Sequence, residues 1–341
     1  MNTRRFGRTR VVRAVRNSTV AAFAVVAACD APSATAPSVA ENVAEAVNRL
    51  AGTRLFVNPA DNPAHQQANA WRASRPGDAD LMDRMASQPI AKWFGDWSTD
   101  IRRDVARVVS LSATQGATPV LVAYNIPNRD CGSYSAGGSA SGSAYRQWIR
   151  DFAAGLSGQP AVVVLEPDAV AGAGCLAAAA KQERYDLIRD AIQVLKSAHA
   201  IVYLDAGNAH WLNPDELAQR LGQAGVGLAD GFALNVSNYI GSSVSIQYGA
   251  AVSQRVGGKH FIIDTSRNGA GGLGSEWCNV PGQSLGTNPT TNTGNALVDA
   301  FLWVKVPGES DGECNGGPHA GVWWAEYALG LAQRGLTVAS S

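Results

Sequence analysis

Charge is scarce in this chain, and so are metal-ligand motifs and long apolar runs. Only 16% of the 341 residues are charged, and the formal net charge is zero. That balance conceals an asymmetry. Arg4, Arg5, Arg8, Arg10, Arg13 and Arg16 all precede the first acidic residue, and without them 22 basic residues face 28 acidic ones. The remainder holds no basic stripe with interleaved aromatics, which argues against a nucleic-acid partner. No C-x-x-C is present and the five histidines (65, 199, 210, 260, 319) lack ligand spacing, so no metal and no other cofactor is expected. The longest apolar run, VAAFAVVAAC at 20–29, is about half of the roughly 20 residues that span a bilayer, which excludes a transmembrane domain.

Preceded by arginines, that run reads as part of an export signal over residues 1–29. Thr3-Arg4-Arg5 with Phe6 resembles a twin-arginine motif with imperfect spacing. Val26-Ala27-Ala28-Cys29 resembles a lipobox, so the secreted chain is either anchored to the cell envelope through an acylated Cys29 or released. Residues 30–47 form an Ala/Ser/Pro-rich flexible linker, and 48–341 read as one domain, expected to be monomeric. Export favours disulfides among Cys131, Cys175, Cys278 and Cys314. Three pairings are open. The sequential one, Cys131 with Cys175 and Cys278 with Cys314, is favoured because each flanks a strand-end loop.

Beyond residue 48 a pattern recurs: a β-branched strand, a polar glycine-containing loop, an amphipathic helix. Strands are predicted at RLFV (54–57), PVLVAY (119–124), AVVVLE (161–166), IVYLD (201–205), GFALNV (231–236), HFIID (260–264) and AFLWVKV (300–306). Helices are predicted between them, such as QERYDLIRDAIQVLKSA, and PDELAQRLGQAG with proline in its first turn. The alternation predicts an α/β fold, a parallel sheet covered on both faces, and seven units predict a closed or nearly closed barrel.

LEPDAVAG (165–172) shows what is unusual. A buried-strand pattern ends on two carboxylates, Glu166 and Asp168. Other strand ends are equally polar: Tyr124 and Asp130, Asp205 and Asn208, Asn235 and Asn238, Asp264 and Arg267, Lys305, Glu309 and Asp311. In α/β barrels those ends converge on one mouth. Crowded carboxylates split into protonated and ionised members, which is what cleavage of a glycosidic bond needs. Among nine tryptophans, Trp71, Trp211 and Trp277 adjoin polar loops and are candidate platforms for sugar rings, whereas Trp93, Trp97, Trp323 and Trp324 read as core.

YNIPNRDC, LEPDAVAG, YLDAGNAHWL, NVSNY, DTSRNG, EWCNVPG and WVKVPGESDGEC, in that order, resemble the motifs of glycoside hydrolase family 6 from about residue 50 onward. The resemblance implies a distorted seven-stranded parallel (β/α) barrel that hydrolyses β-1,4-glucan with inversion. It implies Asp168 as the general acid and Asp130 as its supporting neighbour, which also helps organise the hydrolytic water. Tyr124 would crowd the sugar at the cleavage point. Asp311 stands at the position usually proposed as the base, acting directly or through a relay. Trp71, Asp205, Asn208, Trp211, Asn238, Trp277, Lys305 and Glu309 would bind or orient substrate, and Glu166 would fix its loop. Two positions depart from other members: Asn208 replaces a histidine and Asn125 an acid. The resemblance also supports the sequential disulfides.

Rival readings make different demands, among them a retaining glycosidase on a similar barrel, whose two carboxyls would stand about 5 to 5.5 Å apart rather than roughly 6.5 to 9.5 Å. Gly172 to Ala177 matches a dinucleotide fingerprint, but EPDAVA separates it from its strand. A sugar-binding protein without catalysis would not need Asp168. A cellobiohydrolase of the same family would carry long loop insertions. Here the loop from Asp130 to Tyr145 is Gly/Ser-rich, and the Cys278 to Cys314 segment spans 36 positions, so internal cleavage by an endoglucanase is expected.

Overall fold

The computed structural model describes residues 48–335 except 273 and 275. The export signal, Cys29 and the whole linker, residues 30–47, lie outside the described residues. Seven parallel strands run in sequence order across one sheet: β1 (Lys92–Phe94), β2 (Val120–Ala123), β3 (Val162–Leu165), β4 (Ile201–Asp205), β5 (Gly231–Leu234), β6 (His260–Asp264) and β7 (Val298–Leu302). The helices are α1 (Pro63–Trp71), α2 (Pro76–Ala86), α3 (Ile101–Thr114), α4 (Gly142–Leu156), α5 (Ala178–Ser197), α6 (Pro214–Ala224), α7 (Ser242–Arg255) and α8 (Ala325–Gly335).

Side chains alternate along each strand, as the two-residue period of a pleat requires. Val120, Val122, Val162, Val164, Tyr203, Ala233, Ile262, Ala300 and Leu302 pack together inside the barrel. Their neighbours Leu121, Val163, Leu165, Leu204, Phe232, Phe261 and Ile263 pack outward with helix residues such as Ile149, Phe152, Ile188 and Leu217. Both faces are covered, which is why the strands read as continuous apolar runs. A third cluster gathers α1, α2 and α8 around Trp303. Among the described residues no ladder closes the barrel. Its two edges meet at a single parallel bridge, Ile90 to Trp303, with the Ala91 N–H donating to the Trp303 carbonyl at 3.0 Å.

The first strand is not the predicted one. RLFV makes only an isolated bridge, Leu55 to Thr118, just ahead of β2. The edge strand is instead KWF at 92–94, three residues paired to β2 from Lys92–Leu121 to Phe94–Ala123. A three-residue strand that opens on lysine presents no apolar run to a pattern search. Both quoted helices form as predicted, α6 with Pro214 in its first turn, its first turn capped by the Asn213 side chain and its end by Gly225 in a left-handed conformation.

Candidate active site

The C-terminal ends of the strands open into a cleft of about 1130 Å³ lined by Tyr124, Asp130, Asp168, Trp211, Asn238, Trp277, Lys305, Glu309 and Asp311. The backbone there is bent in a way that side chains resist: Asn128, Asp130, Cys131, Glu166, Asp168, Asn235 and Ser237 all have φ between 49° and 69°. Such conformations cost about 1 kcal/mol or more each and collect where a fold must aim functional groups. After β3, the left-handed turns at Glu166 and Asp168 send the two carboxylates to different places.

Glu166 turns back into the protein. Its buried carboxylate accepts the N–H groups of Asn125 and Ile126 at 3.0 Å, so it holds the turn after β2. Burial pushes it up to about 7, against the pull of those two N–H donors. Asp168 points into the cleft. Burial raises its carboxyl well above the ordinary aspartate range, and the charges of Asp205, Asp130 and Asp311 add to that. Asp205 lies beneath it, wholly buried, and accepts the Asp168 N–H at 2.8 Å and the Gly207 N–H at 3.0 Å. Its own carboxyl is pushed up to about 7 by burial, and its Oδ2 makes no hydrogen bond to any described protein group. Asp130, on the next loop, is raised by burial while the Ser135 N–H and the Arg129 charge oppose the rise. The Cys131–Cys175 disulfide ties that loop to the turn that follows Asp168.

Asp311 behaves in the opposite way. Burial works to raise its pKa, but Arg267 and Lys305 outweigh it and hold the carboxyl below the usual range. Oδ2 receives Arg267 Nη1 at 2.8 Å, the Asn279 N–H at 2.9 Å and the Tyr239 hydroxyl at 3.2 Å, and Oδ1 faces Lys305 Nζ at 3.5 Å. The second disulfide, Cys278–Cys314, braces both segments that frame it. Both disulfides have the sequential pairing. The cleft therefore holds an acid driven towards its neutral form, Asp168, on the β3 side and a carboxyl held towards its ionised form, Asp311, on the β7 side.

Three expected contacts are not brought to the cleft wall. Trp71 ends α1, packs in the α1, α2 and α8 cluster, and carries the Arg75 guanidinium 4.0 Å over its ring. Sequence adjacency to a polar loop does not reveal which way the helix carries it. Asn208 is buried at the foot of its loop, where Oδ1 accepts the His210 N–H at 2.9 Å. Asp205 reaches the cleft only through Asp168. Conversely, Trp93 and Trp97, expected in the core, line the cleft. Trp93 meets Tyr124 edge-on at 5.2 Å, and Trp97 is 54% exposed. Arg129 and Tyr134 also line it and had no assigned role. The exposed aromatic side chains of the described chain are Trp97, Tyr134, Trp211 and Trp277, all on this cleft.

The sequence profile of the glycosyl hydrolases of family 6 matches residues 50–335. The chain belongs to this family. Among family members, it is 46% identical over 274 residues to endoglucanase A of Cellulomonas fimi, an alignment that covers 80% of this chain and 60% of that protein. It is 43% identical over 274 residues to endoglucanase 1 of Streptomyces halstedii, covering 76% and 84% of the two chains. The family 6 fold superposes on the endoglucanase Cel6 of Mycobacterium tuberculosis, solved with a thio-linked cellobioside, with a TM-score of 0.79 and 43% identity, over 84% of this chain and 99% of that one. The chain spans about three fifths of the length of the Cellulomonas fimi relative.

Proposed function

We propose that this family 6 chain is a secreted, monomeric endoglucanase that hydrolyses internal β-1,4-glucosidic bonds of cellulose or related β-glucans with inversion. One observation carries the reading: a single aromatic-lined cleft holds a carboxyl driven towards its protonated form, Asp168, and an ionised carboxylate, Asp311, on loops from different strands. That division is the acid/base asymmetry an inverting glycosidase uses.

Asp168 gives its proton to the departing glycosidic oxygen. Asp130, tied to the same turn by the disulfide, keeps that proton in place through its negative charge and receives the incoming water. Tyr124, whose phenol burial keeps protonated, presses on the ring at the cleavage point. Asp311 accepts the water's proton at Oδ1, directly or through a relay, because three donors already occupy Oδ2. Trp211, Trp277, Asn238, Lys305 and Glu309 hold the neighbouring sugars. Secretion is supported by the arginine-led apolar segment and by two disulfides, which persist in oxidising compartments.

On a soluble cellulose derivative, viscosity should collapse while few reducing ends have appeared. Reducing ends that accumulate with little loss of viscosity would identify a chain-end enzyme instead.

A further inference from the structure

Asp96 lies two residues past β1, and its carboxylate spans the two feet of the loop 129–138. Oδ1 accepts Arg129 Nη1 at 2.9 Å and Oδ2 accepts the Gly138 N–H at 3.1 Å. Between those feet, an antiparallel bridge joins Arg129 to Gly137, with the Arg129 N–H donating to the Gly137 carbonyl at 3.1 Å. The neck is tight. Gly137 has φ 144°, and a Cβ there would sit 2.6 Å from Asp96 Oδ2 and 2.5 Å from Arg129 Nη2.

Arg129 is only 5% exposed and directs Nε to the Ser135 carbonyl at 2.8 Å and Nη2 to the Ala136 carbonyl at 3.2 Å within the same segment, while Nη1 also reaches the Tyr124 carbonyl just after β2 at 2.9 Å. What the loop carries is chemically central. Asp130 accepts the Ser135 N–H at 2.8 Å within it. From its tip, Tyr134 lies against Gly312, the neighbour of Asp311, and meets Trp277 at 5.9 Å.

We propose that Asp96 is a positioning residue: by clamping the neck of this loop it fixes Asp130 beside Asp168 and Tyr134 against the far wall of the cleft. The inference rests on the hydrolase reading above. An exposed aspartate paired with an exposed arginine would contribute little. Here Asp96 is 41% exposed but its guanidinium partner is buried and the same carboxylate also holds a main-chain N–H, so removing it frees backbone and leaves the buried guanidinium with carbonyl acceptors alone.

The test uses the full chain with Asp96→Asn and Asp96→Ala. Loosening the loop misplaces Asp130 by a fraction of an ångström or more, so kcat on a soluble cellulose derivative should fall about 10- to 100-fold in Asp96→Ala, and less in Asp96→Asn, with KM within about twofold. Backbone amides of Ser135 and Gly138 should exchange hydrogen at least about tenfold faster, while the β3 and β4 amides keep their protection. Unchanged exchange in Asp96→Ala overturns the clamp. Faster exchange with wild-type kcat overturns the positioning role, as does an equal loosening of the barrel strands. Exchange needs no substrate, and wild-type hydrolysis of the same glucan tests the underlying reading separately.

Discussion

The main-chain N–H of Asp168 donates to Oδ1 of Asp205 at 2.8 Å. The carboxyl expected to deliver a proton is thus held from below by a second, fully buried carboxyl whose own pKa burial has pushed up to about 7. Neither sits in the ordinary aspartate range: the Asp205 charge adds to burial in raising Asp168, while at Asp205 burial and the Asp264 charge outweigh the N–H donors of Asp168 and Gly207.

If Asp168 is the acid, Asp168→Asn should lower kcat on cellulose by about 10²- to 10⁴-fold, because the leaving alkoxide then departs unprotonated. An aryl glycoside whose leaving group is already an acidic phenol should be affected far less. Steady-state kinetics on the two substrates decide it, and equal losses would remove Asp168 from the role.

Asp205→Asn keeps an acceptor for the Asp168 N–H but deletes the charge. After burial, that charge is the largest influence raising the Asp168 carboxyl, so its loss lowers the Asp168 pKa. The alkaline limb of kcat/KM against pH, where the acid loses its proton, should move to lower pH. A profile that keeps its alkaline limb would mean the two carboxyls are not electrostatically linked.

The same raised pKa values have a stability consequence. A carboxyl whose folded pKa lies above its unfolded value stabilises the fold at low pH, and that contribution is lost as pH rises through the folded pKa. For Asp205 the loss runs from about 4 to about 7. Asp311, held below the usual range, changes stability only at lower pH and does not oppose this trend. Asp168→Asn removes one buried charge from the cluster, so its Tm relative to wild type should be higher at pH 8 than at pH 5. Paired calorimetric scans at the two pH values check the sign.

Each disulfide closes a loop long enough to matter, with separations of 44 and 36 residues. On loop-closure grounds each should stabilise by about 2 to 4 kcal/mol. Replacing Cys278 and Cys314 together by serine should lower the denaturant midpoint accordingly. Replacing Cys131 and Cys175 should in addition depress kcat, because that bridge joins the loops of Asp130 and Asp168.

Direct attack by water should yield the α-anomer from a β-linkage. Proton NMR of the anomeric signals in the first minutes of hydrolysis reads this out. Initial β-product would overturn the inverting mechanism together with the roles given to Asp130 and Asp311.

Much of this protein is legible in its sequence. Strands β2 to β7 announce themselves because both faces of a helix-covered parallel sheet must be apolar, and their polar ends mark the mouth because only there can charge be aimed at a ligand. That pattern gathers Asp130, Asp168 and Asp311 together with Glu166, Asp205, Asp264 and Glu309, and it is the resemblance to family 6 motifs that singles out the three and supports the bracing of their loops by the cysteines. Local pattern could not decide what depends on distant packing. β1 is three residues that become a strand only because β2 offers an edge, while the more apolar RLFV pairs only with Thr118, two residues ahead of β2. Trp71 packs in the α1, α2 and α8 cluster while Trp97 reaches the cleft, because the direction a helix or turn carries a ring is set by what it packs against. The opposite behaviour of Asp168 and Asp311 is likewise tertiary: the two share a residue type, but one is buried among carboxylates and the other against Arg267, 44 positions away. Residue type supplies the carboxyl; its proton affinity is set by the neighbours that folding brings to it.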